Sequence, residues 1–87
     1  MGDPYSRRQK MNTNLEHYRI FYYAGKYGSI TQAAEELSIS QPAVSQALKQ
    51  LEHTLGTALF IRTVKGVRFT AEGEMLYSYV ARGYEYI

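Results

Sequence analysis

The 87-residue sequence predicts a mainly α domain with one small β-hairpin. In four segments apolar residues recur at three- and four-residue spacing, and capping residues open or close them. Two short β-prone runs flank Thr63-Val64-Lys65-Gly66, between the third and fourth of these segments. Apolar residues make up 45% of the chain, enough for a modest core in one small domain.

Residues 1–10 (MGDPYSRRQK) show no hydrophobic period and precede a second methionine, Met11. They read as a flexible leader or a vector-derived remnant. The first helix is expected over residues 14–27, with Leu15, Tyr18, Phe21 or Tyr22, and Gly25 inward. Glu16, Arg19 and Lys26 then face outward, and Gly28 follows where a left-handed cap ends a helix. The tyrosines read as core and rim residues. A stacking platform for single-stranded nucleic acid is the competing reading.

Ser29-Ile30-Thr31-Gln32 matches a capping box, with Ser at the cap and Gln three residues on. The helix it opens, residues 30–37, turns Ala33, Ala34 and Leu37 inward and Gln32, Glu35 and Glu36 outward. Its inward alanines permit close approach of another helix. Ser38-Ile39-Ser40 is a tight connection to the third helix. Ser40 or Gln41 can cap that helix, and Pro42 fits its first turn, where no backbone N–H is required.

The third helix, over residues 40–55, has two unlike faces. At about 100° per residue, Val44, Leu48, Leu51 and Leu55 fall within roughly 60° of one another and form the inward stripe. The other side collects Pro42, Ser45, Gln46, Lys49 and His53, with Gln50 and Ala43 at its edge; Glu52 lies round toward the stripe. Solvated helix faces commonly carry Glu/Lys pairs, whereas this one is amide-rich and nearly free of acid. Gln can bridge an adenine edge, Ser and Lys reach bases or phosphates, and small residues allow close approach. Gln41, Pro42, Ala43, Ser45, Gln46 and Lys49 are therefore candidate base contacts. An ordinary solvated face is the alternative.

A short helix, a tight turn and a longer helix with such a face make a helix-turn-helix. In that motif the second helix enters the major groove and its N-terminal residues meet base edges. Unpaired N–H groups at both helix starts suit phosphates, which makes Ser40 a candidate backbone contact.

Gly56 ends the third helix. Leu59-Phe60-Ile61-Arg62 and Val67-Arg68-Phe69-Thr70 read as two strands, with Phe60, Val67 and Phe69 inward and Arg62 and Arg68 outward. Gly66 permits a positive-φ turn. The hairpin is a basic wing, so the fold class is a winged helix-turn-helix with a C-terminal linker helix. Arg62, Lys65 and Arg68 are candidate contacts to the DNA backbone or minor groove. Ordinary solvated cations on a hairpin are the alternative.

Thr70 caps the last helix, and Glu72 and Glu74 suit its positive end. Met75, Leu76, Tyr79, Val80, Gly83 and Ile87 form an apolar stripe that reaches the last residue without a stop signal. It suits pairing with a second copy, packing on the first helix, or both. The expected layout is a leader at 1–10, a winged helix-turn-helix at 11–70 and a truncated linker or dimerisation helix at 71–87.

Charge placement agrees with a polyanionic partner. The formal +2 comes wholly from Arg7, Arg8 and Lys10 against Asp3; from Met11 onward seven basic residues balance seven acidic ones. Within that neutral body, residues 40–70 carry Lys49, Arg62, Lys65 and Arg68 against Glu52 alone, a local basic footprint. Residues 1–10 admit a second reading as a basic arm that reaches DNA. The chain has no Cys, which excludes disulfides and thiolate metal sites. No apolar run approaches the roughly 20 residues needed to span a bilayer, and no signal peptide opens the chain; a cytoplasmic protein is the expectation. His17 and His53 lie on separate helices without a carboxylate pairing, so neither an enzyme nor a metal site is expected. His53 reads as a solvated residue, with a phosphate contact at acidic pH as the alternative.

Over about residues 12–83 the sequence resembles the DNA-binding domain of LysR-type transcriptional regulators. The residues that carry the resemblance are Gly28-Ser29-Ile30-Thr31-Gln32-Ala33-Ala34, Leu37, Ser40-Gln41-Pro42-Ala43-Val44-Ser45, Leu48, Leu51-Glu52, Leu55-Gly56, Leu59-Phe60, Arg62 and Thr70-Ala71-Glu72-Gly73. The resemblance implies a winged helix-turn-helix and a long linker helix that pairs two subunits, usually within a tetramer. It also implies a separate C-terminal domain that binds a small-molecule effector, so the 87 residues are expected to be a fragment without a cofactor of its own. The implied partner is double-stranded DNA with inverted-repeat half-sites. The resemblance makes Gln41, Pro42, Ala43, Ser45 and Gln46 major-groove contacts, Thr31 a phosphate contact, and Arg62 and Lys65 wing contacts. Gln46 and Lys65 stand where Arg is common, which leaves the preferred bases open. A winged helix that binds protein rather than DNA is the competing function.

Overall fold

The computed structural model describes residues 4–85, with side chains over residues 15–84. The order is α1 (Pro4–Tyr27), α2 (Ile30–Leu37), α3 (Gln41–Leu55), β1 (Phe60–Thr63), β2 (Gly66–Phe69) and α4 (Ala71–Glu85). This is the winged helix-turn-helix with a fourth helix that the sequence predicts. The first helix begins ten residues earlier than expected, so residues 4–10 are helical and continuous with α1. Pro4 suits a first helical turn, and Arg, Gln, Lys and Met are good helix formers.

The helix ends follow local chemistry. Ser29 Oγ accepts the Gln32 N–H at 3.1 Å, and Ser40 Oγ accepts the Ala43 N–H at 3.2 Å. Gly28 and Gly56 adopt left-handed φ of 61° and 72°, as their places after α1 and α3 require. Thr70 Oγ1 accepts the Gly73 N–H at 3.0 Å and donates to the Ala58 carbonyl at 2.7 Å, which fixes α4 to the segment before the wing.

The core lies where α1, α2 and α3 meet, around Phe21, Val44 and Leu59, with Ile20, Ala24, Ala33, Ala34, Leu48 and Leu51 about them. Burial of such side chains stabilises by roughly 25 cal/mol per Å² of apolar area. Phe21 joins the layers: its ring lies 5.3 Å from Phe60, 6.1 Å from Phe69 and 6.3 Å from Tyr77. The wing therefore rests on the core at its base.

Three apolar assignments change. In α1 the buried residues are Ile20, Phe21 and Ala24, while Leu15 is 66% exposed. α1 touches α2 and α3 on one side and α4 on another, so no single stripe describes it. In α3 Leu55 is 40% exposed, because the helix ends there, and Ala47 is buried in addition to Val44, Leu48 and Leu51. In α4 the inward arc holds Gly73, Leu76, Tyr77 and Val80; Met75 and Tyr79 are 64% and 67% exposed, and Gly83 is exposed. Ile87 lies outside the described residues. Tyr22 of α1 stacks on both Tyr77 and Tyr84 of α4, at 5.7 and 4.5 Å between centroids. This contact draws α4 round from its predicted orientation. Burial raises the Tyr84 phenol above its usual pKa, with Arg19 opposing.

Candidate nucleic-acid interface

The outer face of α3 is open along its length. Gln41, Pro42, Gln46 and Lys49 are exposed, Ala43 and Ser45 half-buried, and none packs into the hydrophobic core. The N-cap at Ser40 sets where this face begins, and Val44, Leu48 and Leu51, locked in the core, set its rotation. Thr31, near the start of α2, is also exposed. Ser40 is exposed, but its oxygen is already engaged by the Ala43 N–H.

The wing stands beside this face. Its strands pair antiparallel with Phe60 opposite Phe69, Ile61 opposite Arg68, Arg62 opposite Val67 and Thr63 opposite Gly66. The turn is thus Val64-Lys65, shorter than the four residues marked in the sequence. Gly66 has φ of 141°, and a Cβ there would collide with the Gly28 carbonyl. The neighbouring Val67 N–H donates to that same carbonyl at 3.1 Å, tying the wing to the α1–α2 junction.

This register corrects the placement of the wing arginines. Arg62 shares a face of the hairpin with Phe60 and Val67, not with Arg68, because alternate residues of a strand point the same way. It turns toward α3, where its Nη2 donates to Ser45 Oγ at 2.8 Å. Arg68 lies on the opposite face with Ile61. Thr31, Gln41, Ser45 and Arg62 come together around a cleft of about 230 Å³ between the wing and the two helix starts. Lys65 and Arg68 do not border it; they flank a separate hollow on the wing with Val64 and Val67.

Glu52, which the sequence places near the inward stripe without a role, ties α3 to the wing. Its carboxylate accepts the Leu59 N–H at 2.7 Å and the Phe60 N–H at 3.2 Å. The end of α3 thereby holds the start of β1, and the angle between helix and wing follows. A signal was present: an acid turned toward an apolar stripe must find donors.

The profile of the bacterial regulatory helix-turn-helix protein, lysR family, matches residues 15–74. Among relatives, the chain is 44% identical over 71 residues to the HTH-type transcriptional activator AmpR of Rhodobacter capsulatus, covering 82% of this chain and 25% of that protein. It is 44% identical over 73 residues to the HTH-type transcriptional regulator y4mQ of Sinorhizobium fredii, covering 84% and 24%. The chain thus spans about a quarter of the length of these relatives. Among solved structures, it superposes with TM-score 0.77 on the BenM DNA-binding domain in complex with catB site 1 DNA, at 35% identity, covering 82% of this chain and 80% of that one. The CbnR DNA-binding domain in its DNA complex gives TM-score 0.75 at 28% identity, with 80% of each chain covered. The chain belongs to the lysR family of bacterial helix-turn-helix regulators and carries their DNA-binding fold.

Proposed function

We propose that this domain binds duplex DNA sequence-specifically, with the N-terminal half of α3 in the major groove and the wing against the adjacent backbone or minor groove. The observation that carries the reading is the open, amide-rich face of α3 beside the Arg62-bearing wing. The similarity to two domains whose structures are DNA complexes supports it. Gln41, Pro42, Ala43, Gln46 and Lys49 meet base edges, with Gln41 and Gln46 supplying the bidentate amides suited to adenine. Ser45 lies among them, joined to Arg62. Thr31 and the α3 start at Ser40 approach phosphates; Lys65 at the wing tip and Arg68 hold the backbone further out.

We also propose that the domain works as a pair on inverted-repeat half-sites, in the cytoplasm, as part of a transcriptional regulator. The exposed Met75 and Tyr79 of α4, and the groove of about 540 Å³ that Leu15 and Tyr18 form with Val80, Gly83 and Tyr84 beside the Glu16–Arg19 pair, give a second copy a surface to cover.

Titrating the chain against duplex DNA across ionic strength tests the central reading. Binding should weaken steeply and linearly in log–log form, since phosphate contacts release counterions. Affinity for a protein ligand with no duplex affinity at low salt would replace this function with a protein-binding one.

A further inference from the structure

We propose that Ser45 is a positioning residue in DNA recognition: it holds the Arg62 guanidinium between wing and α3 and reads no base itself. The inference rests on the DNA-binding reading above and refines which residue does what. Ser45 and Arg62 lie 17 positions apart, yet their side chains meet at 2.8 Å. At about 100° per residue, Ser45 lies within roughly 20° of Glu52 around α3. Glu52 in turn holds the start of the same strand through Leu59 and Phe60. The two residues therefore form a seam along one edge of α3 that docks β1 at two levels. Gln41, Pro42, Gln46 and Lys49 are exposed, whereas Ser45 is half-buried at that seam.

A guanidinium carries five N–H donors, so the bond to Ser45 leaves others for a phosphate or a base edge in the cleft that Thr31 and Gln41 also border. A free arginine samples many rotamers, and ordering it on binding opposes affinity. The Ser45 hydroxyl does part of that ordering beforehand. It also couples the wing to the recognition helix, so that a duplex meets both as one surface.

The test is a double-mutant cycle read by fluorescence anisotropy on a duplex that the 87-residue chain itself selects from a random pool. Ser45→Ala should weaken binding about ten-fold, within the range of coupled neighbours. Arg62→Ala should weaken it at least as much, and the double variant should bind no more weakly than Arg62→Ala. Ser45→Thr, which keeps the hydroxyl, should stay within about two-fold of the parent by the same coupling argument. The ranking of single-base variants of the duplex should not change in Ser45→Ala. Independent, multiplying losses, an unaffected Ser45→Ala, or a changed base preference in that variant would each overturn the inference while leaving DNA binding intact. A parent chain that selects no duplex would overturn the DNA reading and this inference with it.

Discussion

Removing the carboxylate of Glu52 leaves the N–H groups of Leu59 and Phe60 without their acceptor next to the buried Leu59 side chain. Unsatisfied groups of that kind cost about 1–3 kcal/mol. Glu52→Ala should lower the urea midpoint accordingly, and Glu52→Gln, which keeps one acceptor oxygen, should lose less; equal losses would separate the effect from these bonds. Gln41 belongs to the other class of residue, exposed at the first turn of α3 and bordering the cleft. Gln41→Ala should leave stability nearly unchanged but cost about 1–3 kcal/mol on a selected duplex and relax preference at one base pair. Equal weakening on selected and random duplexes would remove its reading role. The two substitutions distinguish residues that set the angle of the surface from those that face outward on it.

At the scale of elements, the caps were the most legible features. Ser29, Ser40 and Thr70 each do locally what a side-chain oxygen before a helix does, so α2, α3 and α4 start where the sequence places them. The α3 face was legible too, because a helix packed on one side leaves a single inward stripe. α1 and α4 were less so: each has more than one neighbour, and the stacking of Tyr22 with Tyr77 and Tyr84 sets a rotation that one-sided periodicity does not contain. The cross-strand register of the wing was hidden, but the side of Arg62 was legible: two residues from Phe60 on one strand, it shares that face wherever the turn falls. The joint between wing and α4 is tight. Gly73 is buried, and a methyl group there would run into the Leu59 carbonyl. Gly73→Ala should therefore destabilise by about 1–3 kcal/mol, as overpacking does, and thermal unfolding should show it. A neutral substitution would mean that α4 slides freely on the wing base.

At the scale of the whole molecule, the surface offers two contrasting regions. The α3 and wing surface carries Gln41, Lys49, Arg62 and Lys65, while Met75 and Tyr79 are exposed on α4 and Leu15 on α1. Exposed apolar patches on small domains mark association surfaces. Sedimentation should therefore show the chain dimerising with concentration, and Met75→Ser with Tyr79→Ser should shift it toward monomer; a monomer at all concentrations would count against pairing through α4. The most direct test of the account is a backbone amide NMR titration with a selected duplex. Shifts should gather on residues 41–49 of α3, the α2 start at Thr31 and the wing from Arg62 to Gly66. Shifts confined to the Met75–Tyr79 face, with the α3 face unmoved, would contradict the account.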